Sequence, residues 1–259
     1  MELFYRDFGK PGDKTLIILH GLFGMSDNWM SIARLLADKG FYVLAPDQRN
    51  HGRSGHSKVF NYTAMVDDLF EFMDARGVGS SYLLGHSMGG KTAMQFSLDY
   101  PELTDGLIVA DISPAKSSHG SAHTTIIDSL LEIGVENYGS RREVAKALAG
   151  IVENDRLRMF LQKNLYRKDK SSLGWRINLE AVRDNLDEVF SPVSHDTTFK
   201  KEVLFLRGGR SDYIPDDDID LIKKIFPRSS VRTIEGASHW LHAEKPREFL
   251  QEVVSFLAG

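Results

Sequence analysis

Six apolar runs of seven or eight residues, separated by longer stretches of helical period, constrain the architecture of this chain more than any other feature. They are TLIILHG (15–21), FYVLAPD (41–47), SYLLGHS (81–87), GLIVADIS (106–113), EVLFLRGG (202–209) and SVRTIEG (230–236). Strands this continuously apolar belong in a parallel sheet covered by helices on both faces, because only then are both faces dry. The helix candidates lie between them. Asp27–Lys39 stops at Gly40, Thr63–Arg76 at Gly77 and Ser87–Tyr100 at Pro101, and Asp216–Phe226 and Pro246–Leu257 complete the set. The alternating MELFYRDFG, followed by Lys-Pro-Gly-Asp, predicts an antiparallel strand at one edge.

From Pro114 to Phe199 the rhythm breaks. No strand pattern stands there, but TTIIDSLLEIG, REVAKALAGI, DRLRMFLQKNLY and WRINLEAVRDNLDEVF have helical period. The expected organisation is therefore a core of residues 1–113 and 200–259 with an all-helical insertion, 114–199, between two neighbouring strands. In an open α/β sheet, ligands bind outside the carboxyl ends of the strands, and an insertion leaving there would cover the crevice as a cap.

With 259 residues, 42% of them hydrophobic, the chain can bury one large core, alone or with an insertion. A formal net charge of −4 leaves no electrostatic footprint for nucleic acid or an anionic membrane, so a small-molecule partner is expected. The absence of cysteine excludes disulfides, thiolate metal sites and a thiol nucleophile. Charges interrupt the N-terminal segment where a signal peptide needs an apolar run, and no segment approaches the roughly 18 apolar residues of a membrane span. The expectation is a soluble, cytoplasmic monomer or homodimer. No HExxH, Walker A or GxGxxG stands in the chain, so neither metal nor cofactor is expected.

The chemistry concentrates at LLGHSMGGKTA (83–93). Gly85-His86-Ser87-Met88-Gly89 fits G-x-S-x-G with a strand before it and a helix after it. That turn is so sharp that only small residues two positions either side of the serine let the backbones pass. The hydroxyl is thereby presented at a helix N-terminus, which favours developing negative charge. A Gly-rich turn with an N-capping serine would share the pattern, so a base and its orienting acid must be found as well.

His239, in GASHW after the last strand, is on the same edge as Ser87 and is the candidate base. Asp212, in the GRSDYIP loop after the preceding strand, is the expected acid, and the order Ser87, Asp212, His239 suits a triad on this kind of sheet. Asp111 in VADISP is the rival acid. The HGLFG segment after the first parallel strand offers the Leu22 amide, beside that of Met88, as an oxyanion donor. Phe23 and Trp240, next to these groups, are the expected substrate contacts. These residues predict a serine hydrolase of carboxylic esters or acyl thioesters, working through an acyl-enzyme. Carbon–carbon bond hydrolysis or perhydrolysis on the same triad, and a receptor that retains a hydrolase site, are the alternatives.

HGLFG, DQRNHGRS, GHSMGG, GRSDYIP and GASHWLHAEKP together resemble the α/β-hydrolase superfamily. With DISP, they look closest to small bacterial acyl esterases and thioesterases related to mitochondrial abhydrolase-domain proteins. The resemblance implies the α/β-hydrolase fold over the whole core, a mostly parallel twisted sheet with helices on both faces and an inserted helical cap. In that group the position matching Asp111 carries the acid, whereas this sequence has an aspartate at both places.

Other tempting residues have structural readings. His51 resembles the superfamily's turn after its second parallel strand, His20 and His86 are expected to pack and hydrogen-bond beside the site, and His242 reads as a loop residue or a shaper of the pocket. Asp216, Asp217 and Asp218 read as first-turn carboxylates rather than a metal cluster. Lys163, Arg167, Lys168 and Lys170 read as a solvated face, since 114–198 holds 12 basic and 12 acidic residues. Phe160, Leu161, Leu165, Trp175 and Phe190 are expected on the cap's apolar underside, either packing on the core or lining an acyl pocket.

Overall fold

The computed structural model describes residues 1–194 and 196–259. Seven strands form one sheet: β1 (Tyr5–Phe8), β2 (Lys14–Leu19), β3 (Phe41–Pro46), β4 (Ser81–His86), β5 (Thr104–Ala110), β8 (Val203–Gly208) and β9 (Ser229–Ile234). Their order is β1-β3-β2-β4-β5-β8-β9. The edge strand β1 pairs antiparallel to β3, and the other pairs are parallel. Topology and edge strand match the sequence reading.

Apolar side chains on successive strand positions face opposite ways, and each set meets a different layer. Ile17, Leu19, Leu83, Leu107 and Val109 pack with α2 (Tyr62–Asp74), α3 (Met88–Asp99) and α9 (Ile219–Ile225). Leu16, Ile18, Leu84, Ile108 and Ala110 pack with α1 (Met30–Ala37) and α11 (Pro246–Leu257). Local chemistry starts these helices where the sequence suggests. Asn61 caps α2 by accepting from the Ala64 amide, and Pro246 opens α11, where a missing N–H costs nothing.

Between β5 and β8 the chain forms a cap. Its helices are α4 (Gly120–Ile133), α5 (Arg141–Ala149), α6 (Asp155–Gln162), α7 (Leu179–Asp184) and α8 (Leu186–Phe190). The expectation of an all-helical insertion needs correction. Leu165–Arg167 (β6) and Leu173–Trp175 (β7) form an antiparallel hairpin. The Asp169 carboxylate accepts from the amides of Ser171 and Ser172 and from both hydroxyls, which closes the turn and ends the helical period early. The long WRINLEAVRDNLDEVF pattern also divides, because Asn178 caps α7 only after the hairpin.

The cap sits on the core through buried contacts. Its Ile127, Leu130, Leu161, Leu165 and Phe190 share one cluster with Leu22, Phe23, Tyr62 and Met88 of the core. Tyr62 donates its hydroxyl to the Val189 carbonyl at 2.6 Å, and the Asn178 amide donates to the Asn50 carbonyl at 2.9 Å. Lys91, fully buried on α3, reaches both roots of the cap. Its ammonium donates to the Ala115 carbonyl at 2.7 Å and to the Ser191 carbonyl. Burial pulls this lysine down to about 8.

Candidate active site

Ser87 stands between the end of β4 and the start of α3 with φ +53°, a left-handed conformation that costs a non-glycine residue on the order of 1–3 kcal/mol. Neighbouring structure holds it there. The Ser87 amide donates to the Ala110 carbonyl at 3.0 Å, and its carbonyl accepts from the Lys91 amide at 3.1 Å. A Cβ at Gly89 would strike the carbonyls of Leu19 and His20, and one at Gly85 would strike the Gly89 carbonyl. The steric demand read from the sequence is thus met by named backbone atoms.

The loop after β9 carries His239, whose Nδ1 donates to Asp111 Oδ2 at 2.8 Å. That bond fixes the tautomer and leaves Nε2 as the unprotonated ring nitrogen, available to take a proton. The His239 carbonyl accepts from His86 Nε2 at 2.8 Å. His86 is held neutral because burial, then His239 and His242 beside it, pushes it well below the usual histidine range.

Asp111 follows β5 with φ +54° and is fully buried. Three donors converge on its carboxylate: the Gly208 amide on Oδ1 at 2.8 Å, and His239 and the Ser211 hydroxyl on Oδ2. Asp212, the acid preferred from the sequence, is placed elsewhere. Its side chain is 82% exposed, with His119 Nε2 at 3.5 Å. The GRSDYIP loop turns Ser211 toward the site, where its hydroxyl meets a carboxylate already supplied by β5.

Ser87, His239, Leu22, Phe23 and Trp240 line one cavity of about 180 Å³, Asp111 stands behind His239, Met88 follows Ser87 at the start of α3, and Asp212 lies outside. No hydrogen bond joins Ser87 to His239; such contacts tighten when substrate is bound. The Leu22 amide takes no partner among the described residues, and Met88 opens α3, where amides have none within the helix. Phe23 has φ +62°, and its amide donates to His51 Nε2 at 3.3 Å while its carbonyl accepts from Asn164 of the cap at 2.7 Å. His51 Nδ1 in turn donates to the Arg49 carbonyl at 2.9 Å.

Residues 14–133 match the family model described as alpha/beta hydrolase fold. The chain is 39% identical to the sn-1-specific diacylglycerol lipase ABHD11 of Danio rerio, over 99% of its own length and 83% of the relative's. The chain belongs to the α/β-hydrolase family. The esterase YbfF of Escherichia coli is 29% identical over 95% of this α/β-hydrolase and 93% of its own length. A solved marine microorganism esterase superposes with a TM-score of 0.95 at 44% identity, covering 98% of this chain and 99% of that one.

Several residues of this α/β-hydrolase site carry no motif in the sequence. His123, on α4, enters the cavity wall with its ring parallel to Phe23 at 6.0 Å. Ser211 and Tyr213 stand inside a quoted motif, but only the fold turns them toward Asp111 and His239. His242 stacks on Trp29 at 4.2 Å, and burial lowers it to about 3. Leu161, Leu165 and Phe190 pack the cap, whereas Phe160 lines the cavity. The acidic run divides its work: Asp216 pairs with Arg207 at 2.5 Å and Asp218 accepts from Ser113. Arg167, Lys168 and Lys170 lie exposed around the β6–β7 hairpin.

Proposed function

We propose that this α/β-hydrolase cleaves carboxylic esters or acyl thioesters with Ser87 as nucleophile, His239 as general base and acid, and Asp111 as the orienting acid. The observation that carries the reading is the 2.8 Å bond from His239 Nδ1 to buried Asp111, beside a serine held at φ +53° in the same cavity. Relatives named as lipase and esterase support the reaction class.

In this reading Ser87 Oγ attacks the acyl carbonyl while His239 Nε2 takes its proton. Asp111 holds the imidazole in the required tautomer and stabilises the imidazolium that forms. The amides of Leu22 and Met88 receive the oxyanion, each worth about a hundredfold to a thousandfold in rate. His239 returns the proton to the departing alcohol or thiol. Water, activated by the same histidine, then attacks the acyl-enzyme, and Ser87 is regenerated. Apolar walls from Leu157, Phe160 and Trp240 suit the acyl portion of a small-molecule substrate.

Hydrolysis of p-nitrophenyl esters from acetate to decanoate tests the proposal. The wild type is expected to turn over, and Ser87→Ala to lose at least about a thousandfold in kcat. A folded wild type that is inactive at every chain length and unlabelled at Ser87 by a fluorophosphonate would overturn it.

A further inference from the structure

Where the sequence leads one to expect a carboxylate facing His239 from the loop after β8, the fold supplies an aromatic ring. Tyr213 lies nearly parallel to the His239 imidazole, with ring centroids 3.8 Å apart and planes 18° from each other. Its other face is covered by His119, at the start of α4, at 3.8 Å and 12°. The backbone is pinned on both sides of this ring. The Tyr213 carbonyl accepts from the Ser113 amide at 3.0 Å, and its amide donates to Ser211 Oγ at 3.4 Å. The phenol oxygen takes no hydrogen bond from the described residues, so the stacking face is the part of the side chain engaged with the site.

We infer that Tyr213 is a positioning residue for His239: its ring, braced by His119, holds the imidazole in the plane in which Nδ1 meets Asp111. This rests on the triad reading above. A ring face carries partial negative charge, so it stabilises the positive charge that His239 gains on taking the Ser87 proton. The phenol itself remains protonated, since burial, then Asp212 and Asp111 beside it, raises the pH at which it ionises.

The other groups that face His239 are Asp111 from the end of β5, His86 from the end of β4, His242 from α10 (Leu241–Glu244) and His123 from α4. His86, His242 and His123 are pushed down by burial. Beyond Tyr213 stand His119 and Asp212. Replacing Tyr213 leaves all of them in place.

The test compares pH profiles of kcat/KM on p-nitrophenyl butyrate for wild type, Tyr213→Met, which fills the volume without a ring, and Tyr213→Phe, which keeps the ring. Folding is checked by thermal melts. Tyr213→Met is expected to lower kcat about 10- to 100-fold and to move the acidic limb down by about 0.5–1 pH unit, with KM little changed. Tyr213→Phe is expected to restore both. If the Met variant superimposes on wild type, or if Phe behaves like Met, the ring does not position His239 and the inference falls. Fluorophosphonate labelling separates the two readings. Wild type unlabelled at Ser87 refutes the triad, whereas labelled wild type with an unmoved Met profile refutes only the role of Tyr213.

Discussion

Ser87 and Asp111 directly follow neighbouring parallel strands, and both have positive φ, +53° and +54°. The strand register pairs His86 with Ala110, so each residue stands one step past the last pair, and the Ser87 amide bonds the Ala110 carbonyl. The two side chains are therefore thrown out at one height on the sheet edge. A carboxylate at the end of β5 reaches His239 from there, and the loop after β8 contributes Ser211 and Tyr213 around the pair rather than the acid itself.

That placement separates the two aspartates. Asp111→Asn is expected to lower kcat by about 10³- to 10⁴-fold, because the amide favours the wrong imidazole tautomer. Asp212→Asn, at a side chain 82% exposed, should stay within about threefold of wild type. Steady-state kinetics on one p-nitrophenyl ester decides between them, and the reverse pattern would move the acid to Asp212.

Acid stability follows from the buried histidines. Burial holds His20 at about 4 and His51 and His242 at about 3, against an ordinary 6.5. Above pH 6.5 neither folded nor unfolded chain binds these protons. Below it the unfolded chain takes them up first, so stability is lost as pH falls from 6.5 toward 4, at about 1.4 kcal/mol per pH unit for each histidine. Urea unfolding between pH 7.5 and 5 should show that slope. His242→Phe, which can keep the stack on Trp29, should make it shallower by one histidine's share.

Lys91 offers a test of how the cap is held. Lys91→Met removes the ammonium from carbonyls at both cap roots and leaves half-buried acceptors bare, at a cost of about 2 kcal/mol. For a chain of this size that is a drop of about 5 °C in Tm. Limited proteolysis should cut first near residues 115 and 191. An unchanged Tm with an uncut cap would show that the apolar contacts suffice.

Phe160 lines both the 180 Å³ cavity and an outer one of about 470 Å³, and its ring is 6.1 Å from that of Trp240. Removing it should join the two spaces. Phe160→Ala is expected to raise kcat/KM for octanoate and decanoate relative to butyrate by about 3- to 10-fold, since each buried methylene is worth about 0.8 kcal/mol. A profile that keeps its shape would place the acyl chain elsewhere.

The core was legible because its determinants are local or periodic. Continuous apolar runs give parallel strands, and GHSMGG has steric needs that few other turns share. The position of His239 followed from its place after the final strand. What stayed hidden depends on contacts distant in sequence. Asp111 and Asp212 both follow strands, and only the fold shows Ser211 and the Gly208 amide closing on Asp111. The hairpin at 165–175 was missed because its strands are three residues each, too short for a period to emerge. Tyr213 reads as one more aromatic until the cap brings His119 to its far side.

The bond from Asn164 to the Phe23 carbonyl alters what the cap is. The segment that bears the Leu22 amide is gripped from below by His51 and from above by a side chain of the insertion. A bare core would thus lose part of the frame for the proposed anion donors as well as the proposed substrate walls. Grafting a foreign cap onto this sheet would have to bring an amide to the same spot, which makes the insertion a structural partner of the chemistry rather than a cover over it.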